Sequence, residues 1–461
     1  MTNEDVICWA LKLRDDRVSA IDKYFLIAVW RRYGTNTVTD KVKDLAQKIQ
    51  LNDRYVSSSR NAWVEVGVVE PCPMPGAESK RGRRQKSFRI NIERLAALVE
   101  GNKTFSLNQN LIRGLFCQNE RLGRIRVKRE EGSDALTVNS LVLLGVLVMS
   151  ADKTGYVSGY GEKALREMAG LEKSQFRYAL NQLAEVGVLG NWLPGISSKH
   201  LFGRRPGVYW LNLGHSFFGE DRVHCIYVFD RLAWRPLDRI CDFYGLFGAR
   251  TFRRLDKEEL AKIEQREGLP AGWSEYFRDR PWFKTAGHLA CLLAQHACLV
   301  LERRVVDEDG LGDGEGESLS EDLGRELGTE HWFEHMAEDK RALLPTVLEY
   351  LVDHGVKKWA DAAMSLYKEA LKGADLECFL CESTKFRIYS SYQLINAETG
   401  RLWTLAIFPG SEKQLEESIF LFRDFQGGKK RWERLNKETE IKDASLVHMG
   451  LRKGFGGGLS D

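Results

Sequence analysis

Two short stretches of the chain carry side chains that could bind a metal ion or act in catalysis. His331, Glu334 and His335 follow the spacing H-x-x-E-H. On a helix the two imidazoles share one face, and the glutamate beside them could act as a general base toward a zinc-bound water. Cys378 and Cys381 form a C-x-x-C pair, which is half of the ligand set of a structural zinc site. Both stretches are therefore candidate zinc ligands.

Neither stretch has an identifiable complete ligand set. The first is similar to the zinc motif of the inverzincin peptidases, whose third ligand is a distant glutamate. Glu412, Glu416 and Glu417 are equal candidates for that ligand, and a surface helix with two histidines is the alternative interpretation. His288 and Cys291 could complete the cysteine site, but Cys291 falls in an apolar helix, where a free cysteine is an ordinary filler. We expect no cofactor, with zinc as the alternative.

Basic residues suggest a second kind of chemistry, because they are concentrated in one half of the chain. The chain has 68 Lys and Arg against 65 Asp and Glu, a net charge of +3. Residues 1–230 hold 34 basic and 25 acidic side chains, whereas residues 231–461 hold 34 and 40. Residues 80–129 alone carry 14 basic and 3 acidic side chains. This block indicates a polyanionic partner, with a solvated charged face as the alternative.

Length and composition restrict the class of protein. With 461 residues, 43% of them hydrophobic and 29% charged, the chain should fold into several packed domains. Its longest apolar run, Leu141–Met149, has nine residues, whereas a membrane-spanning helix needs about 20. The acidic N-terminus is unlike a signal peptide, and the nine cysteines are scattered. We therefore expect a cytoplasmic protein without membrane association.

An internal repeat gives the strongest indication of architecture. Residues 44–69 align without a gap with residues 164–189. Leu45, Leu51 and Asn61 meet Leu165, Leu171 and Asn181, and Glu65-Val66-Gly67-Val68 meets Glu185-Val186-Gly187-Val188. Two copies separated by a long insert indicate a duplicated domain rather than a solenoid.

Each copy has the pattern of three helices followed by a β-hairpin. The predicted helices cover 20–32, 40–49 and 54–66 in the first copy, and 139–150, 162–169 and 174–186 in the second. The predicted strands cover 68–70 and 87–92, and then 188–192 and 208–213. Further along the chain we predict helices over 255–266, 286–303, 342–354 and 356–372, and strands over 386–389 and 402–408.

The stretch from Leu171 to Leu189 resembles the winged helix-turn-helix family. It combines a polar turn, an amphipathic helix and the closing Leu183-x-Glu185-x-Gly187 pattern. The tandem arrangement is similar to that of bacterial regulators and plasmid replication initiators. The resemblance implies an α+β fold, with two winged helix-turn-helix domains followed by a mixed, mainly helical C-terminal domain.

These patterns divide the chain into six segments. We predict a first winged helix-turn-helix domain over 1–100, a basic connecting segment over 101–135 and a second winged helix-turn-helix domain over 136–220. A helical domain over 221–306 and a C-terminal α+β region over 331–461 complete the chain. Between them, residues 307–330 contain ten acidic residues, one basic residue and many glycines, which is typical of a flexible linker.

Helical periodicity then predicts which side chains would contact DNA. Phe176, Ala179, Leu180 and Leu183 recur on one face, so the opposite face is exposed. In the family, the third helix enters the major groove, where Arg pairs with guanine and Asn or Gln with adenine. In the second copy the predicted contacts on the third helix are Lys173, Ser174, Gln175, Arg177, Tyr178 and Asn181. Lys199, Arg204 and Arg205 lie in the wing, the loop that joins the two strands of the predicted hairpin. In the first copy they are Arg54, Tyr55, Ser57, Ser58 and Asn61, with Lys80, Arg81, Arg83, Arg84 and Lys86 in the wing. Arg124, Arg126 and Lys128 add one cationic face of a predicted strand.

We therefore expect a double-stranded DNA-binding protein rather than an enzyme. It would be site-specific and act in transcription regulation or in replication control of a mobile element. A protein partner would bind through the acidic C-terminal half. Two alternatives stay open: a winged-helix scaffold subunit that binds proteins, and a zinc-dependent hydrolase that acts through His331, Glu334 and His335.

Overall fold

The computed structural model describes a chain of two compact units. The first unit combines Met1–Trp192 with Val208–Arg222, and the second combines Leu193–Gly207 with Val223–Met449. The predicted α+β class is confirmed. The described residues are 3–72, 87–99, 108–121, 125–126, 135–197, 204–230, 255–272, 282–306, 319, 321–325, 338–374, 384–390, 403–409, 415, 418–426 and 429–435.

The first repeat follows an N-terminal helix, α1 (Asn3–Lys12). It contains α2 (Ala20–Tyr33), α3 (Val42–Ile49), α4 (Asp53–Val66), β1 (Val69–Cys72) and β2 (Ser87–Ile90). β1 and β2 pair antiparallel, and Val38, which lies between α2 and α3, forms an antiparallel bridge with Phe88 of β2. β2, the last strand of the repeat, therefore lies between β1 and the bridge residue Val38.

The second repeat has the same order of elements. It contains α7 (Val138–Ser150), β5 (Tyr156–Val157), α8 (Glu162–Ala169), α9 (Lys173–Glu185), β6 (Leu189–Leu193) and β9 (Val208–Leu211). The strand order is β5-β9-β6, so the last strand again lies between the other two. Along the chain, a small hairpin of β7 (Ile196–Ser197) and β8 (Arg204–Arg205) separates β6 from β9.

Equivalent hydrogen bonds close the turns of both repeats. The amide of Leu51 donates to the carbonyl of Ala46 at 3.0 Å, and Leu171 donates to Arg166 at 3.0 Å. Gly67 caps α4 with φ +81°, and Gly187, which follows the C-cap residue Val186 of α9, also has φ +81°. Because this left-handed conformation costs little only for glycine, both repeats keep glycine at this turn.

The remaining elements of the first unit surround the two repeats. They are α5 (Ile92–Val99), α6 (Gln109–Arg121), the short parallel strands β3 (Ile125–Arg126) and β4 (Leu136–Thr137), and a 3₁₀ segment (Ser216–Asp221). α1 packs against α2, α5, α6, α7 and α8. An apolar N-terminal helix therefore forms part of the core that both repeats share.

The second unit contains a five-stranded sheet with helices packed on one face. Its helices are α10 (Lys257–Glu267), α11 (Trp282–Val306), α12 (Glu338–Tyr350), a π-helical segment (Leu351–Lys357) and α13 (Lys358–Ala374). Its strands are β10 (Ile226–Asp230), β11 (Lys385–Ser390), β12 (Trp403–Phe408), β13 (Ile419–Gln426) and β14 (Lys429–Leu435). The order is β11-β12-β10-β13-β14, with only β10 and β13 parallel. Among the described helices, none has the length and apolar character to cross a membrane.

The sheet joins segments that the sequence analysis separated at residues 306 and 330. β10 pairs with both β12 and β13, so residues from 226 to 230 lie in the middle of the C-terminal sheet. Leu319 and Leu323, inside the predicted acidic linker, are buried in the core of this unit. Leu319 and Leu323 therefore pack with the second unit, and the flexible linker over 307–330 stays a prediction.

The hairpin β7–β8 belongs to the second unit rather than to the second repeat, in which the sequence placed it. Ile196 is buried in the core of the second unit. The Nε2 atom of His288, on α11, lies 2.9 Å from the carbonyl oxygen of Pro194. The predicted second wing is therefore, in its described part, a packing element of the second unit.

Candidate nucleic-acid interface

α9 presents a polar face opposite a tightly packed one. Phe176, Ala179 and Leu183 are buried, so the predicted assignment of the faces is confirmed. The exposed residues are Lys173, Ser174, Gln175, Arg177, Tyr178 and Asn181. Tyr178 is 46% exposed, which is unusual for a large aromatic side chain without a partner. The exposed face combines cationic, aromatic and amide groups.

Gln175 has a structural role that periodicity did not predict. Its Oε1 atom accepts a hydrogen bond from the backbone amide of Glu172 at 3.0 Å, as part of a capping box at the start of α9. Adenine recognition needs the side-chain oxygen and nitrogen of glutamine together. The Oε1 atom of Gln175 therefore already has one hydrogen-bond partner within the chain, and its contact with a base stays a prediction.

Gln182 was missed by the sequence analysis. Its Oε1 atom accepts hydrogen bonds from the backbone amide and the hydroxyl of Thr137, at 3.1 and 2.9 Å, and from the hydroxyl of Ser140 at 2.5 Å. Its Nε2 atom donates to the carbonyl of Ala135 at 3.3 Å. The only sequence signal was an amide three residues after Ala179, on the apolar face. This network fixes α9 to the start of α7.

Replacing Gln182 with methionine should destabilise the first unit by about 1–3 kcal/mol, because buried donors lose their acceptor. Urea unfolding of the full chain measures the change. Asn181→Ala is the matched control, since Asn181 is the exposed neighbour on the same helix, and it should change stability by less than about 0.5 kcal/mol. Equal effects of the two substitutions would contradict the proposed fixing role of Gln182.

α4 is held in place by its cap and by one tryptophan. The Oδ1 atom of Asn52 accepts from the amide of Tyr55 at 2.9 Å, which caps the helix. The fully buried Trp63 donates from Nε1 to the carbonyl of Asp22, on α2, at 2.7 Å. These contacts fix α4 against α2, just as Gln182 fixes α9 against α7.

The predicted contacts on α4 are exposed to different degrees. Arg54, Ser58 and Asn61 are exposed, whereas Tyr55 and Ser57 are half-buried. The hydroxyl of Ser58 donates to the carbonyl of Tyr55 at 3.1 Å.

Both third helices begin with an exposed acid beside an exposed cation, Asp53 with Arg54 and Glu172 with Lys173. α9 differs because it exposes a second cation, Arg177, and it is therefore the more suitable of the two for a polyanion.

Most of the predicted wing and strand cations lie outside the described residues. These are Lys80, Arg81, Arg83, Arg84, Lys86, Arg124, Lys128 and Lys199. Arg126 lies in β3 and Arg204 in β8, where only their backbone is described. Arg205 is half-buried in the hairpin of the second unit. Burial lowers the pKa of the neighbouring His288 and the Arg205 cation lowers it further, although the hydrogen bond to Pro194 raises it.

The described residues contain no cluster of three or more His, Cys, Asp or Glu side chains suited to a metal ion. His331, His335, Cys378 and Cys381 lie outside the described residues. Burial raises the pKa of the Cys291 thiol to about 12. The Nε2 atom of His288 lies within hydrogen-bond distance of the carbonyl oxygen of Pro194.

Comparison with known proteins assigns no family to these surfaces. The chain matches no protein-family model, no curated protein and no solved structure.

Proposed function

We propose that the first unit is a pair of winged helix-turn-helix domains that binds duplex DNA, with α4 and α9 as the helices that face it. The repeated order of elements supports this proposal. Each repeat has a first helix, a strand residue or strand, two more helices and a closing hairpin, with the first strand beside the last. An α-helix fits the major groove of B-DNA, so an exposed third helix can reach base edges.

The single observation that carries the proposal is the exposed face of α9. Arg177, Tyr178 and Asn181 project from a helix whose opposite face is fixed by buried apolar residues and by Gln182. A rigid helix holds side chains in the geometry that base recognition needs. The function that fits is site-specific binding in the cytoplasm of a bacterium, in transcription regulation or in replication control of a mobile element.

Binding of the full chain to random-sequence duplex DNA across a salt series tests the proposal. We expect the logarithm of the affinity to fall linearly with the logarithm of salt concentration, with a slope that counts phosphate contacts. Selection of bound sequences from the same pool then yields the site. An operator at a promoter would favour regulation, and iterated origin repeats would favour replication control.

The control for the salt series is single-stranded DNA of the same length, which should bind more weakly. Absence of duplex binding at low salt would contradict the proposed function.

A protein-binding scaffold is the second candidate function, and one observation on α4 favours it. Val64 is 37% exposed next to the exposed Glu65, and an apolar side chain beside an acid is poorly suited to DNA. In this case α9 alone would contact DNA. The Val64→Ser substitution would then leave the affinity for DNA unchanged. It would lower the affinity of the full chain for a protein partner that co-purifies with it.

A further inference from the structure

The two repeats are in direct backbone contact. The amide of Ala20, at the start of α2, donates to the carbonyl of Gly170 at 3.0 Å. Gly170 forms the turn between α8 and α9 of the second repeat. A Cβ atom at residue 170 would lie 2.6 Å from the carbonyl oxygen of Val18 and 2.8 Å from the amide nitrogen of Ala20. These distances are too short for a side chain, so the contact requires glycine here.

The equivalent position of the first repeat shows that the turn itself does not require glycine. Gln50 occupies it with φ +56° and ψ +36°, close to the +63° and +42° of Gly170. Gln50 is the only non-glycine residue with positive φ among the residues that the structure describes. The need for glycine at 170 therefore comes from the contact between the repeats.

α1 adds a second connection between the repeats. Lys23 of α2 is fully buried, and its Nζ donates to the carbonyls of Ala10, Leu11 and Leu13 at 3.1, 3.3 and 2.5 Å. These contacts of Nζ attach the C-terminal end of α1 to the first repeat.

The same helix contacts the second repeat. A Cβ atom at Gly145 of α7 would lie 3.1 Å from Cδ1 of Leu11, which is fully buried. α1 also packs against α8, and α2 packs directly against α7. α1 therefore lies against both repeats at once.

We infer that Gly170, α1 and Lys23 form an interlock that holds the two repeats as one rigid body. The interlock presents α4 and α9 at a fixed separation. Resting on the proposed DNA-binding function, this defines the ligand as a duplex site of two segments whose spacing does not vary. Two independently mobile domains would instead accept variable spacing, as linked modules do.

The Gly170→Gln substitution tests the interlock, because it places the first repeat's own residue at the equivalent position of the second. Gln50→Gly is the matched control. For wild type and control, inserting half a turn or a full turn of duplex between the two segments should lower affinity by about a hundredfold or more. The Gly170→Gln variant should bind the unaltered site about a hundredfold more weakly and be insensitive to the insertions.

Hydrogen exchange of the free full chain separates this inference from the proposed function. In Gly170→Gln we expect faster exchange at the amide of Ala20 and in α1, with the interior of α9 still protected. If wild type binds no DNA, the proposed function fails, and this exchange pattern alone decides on the interlock. Unchanged exchange in the variant would overturn the interlock. Wild-type binding that tolerates both insertions would overturn it even if the variant does not fold.

Discussion

Replacing Arg177 and Asn181 together with alanine is expected to lower the affinity of the chain for its selected duplex by about a hundredfold to ten-thousandfold. Each bidentate contact of Arg with guanine or of Asn with adenine contributes about 1–3 kcal/mol of discrimination. Both side chains are exposed on α9, so their removal should leave the fold intact. Affinity for the selected duplex and for a scrambled duplex is measured at one salt concentration.

The double variant should lose far more affinity for the selected duplex than for the scrambled one. Lys368→Ala with Gln265→Ala, two exposed residues of the second unit, is the control that removes the same charge and one amide. An equal loss on both duplexes would limit α9 to phosphate contacts. An equal loss in the control would exclude α9 as the specific surface.

The second large effect concerns the buried Lys23. Burial lowers the pKa of its ammonium group from 10.5 to about 7. Between these two values the unfolded chain holds one proton more than the folded chain, so the free energy of unfolding must rise with pH. From about pH 7 to about pH 10 we expect a rise of about 3 kcal/mol from this one group.

Urea unfolding of the full chain at several pH values measures this rise, and Lys23→Met should remove it. The informative quantity is the difference between wild type and variant at each pH, because other groups contribute equally to both. Lys163→Met, at a lysine whose side chain is 85% exposed, is the control and should follow wild type. Parallel profiles for wild type and Lys23→Met would contradict the prediction.

The sequence predicted those parts of the fold that depend on local periodicity. Leu183 and Trp63, aligned by the repeat, are both fully buried on the third helix of their repeats. The helix predicted over 356–372 is α13, Lys358–Ala374. Such elements are readable because their apolar residues recur at the helical period.

Other parts depend on contacts between distant residues, which leave no local pattern. β10 pairs with β12 and β13, which lie more than a hundred residues further along the chain. Periodicity places Gln182 on the apolar face, but its partners Thr137 and Ser140 cannot be identified from the local sequence. On the candidate interface, the exposed face of α9 was predictable, whereas the capping role of Gln175 required the geometry of the helix start.

The position of the hairpin β7–β8 has a practical consequence for mapping activities with truncated proteins. The chain passes between the two units after Trp192, after Gly207 and after Arg222. A fragment that ends at residue 222 would keep Ile196 but lose the core that buries it, and exposed apolar strands promote aggregation. Loss of DNA binding by that fragment would report its insolubility rather than the location of the binding surface. A fragment that keeps the first unit without this exposed hairpin would replace residues 193–207 with a tight Asn-Gly turn between β6 and β9.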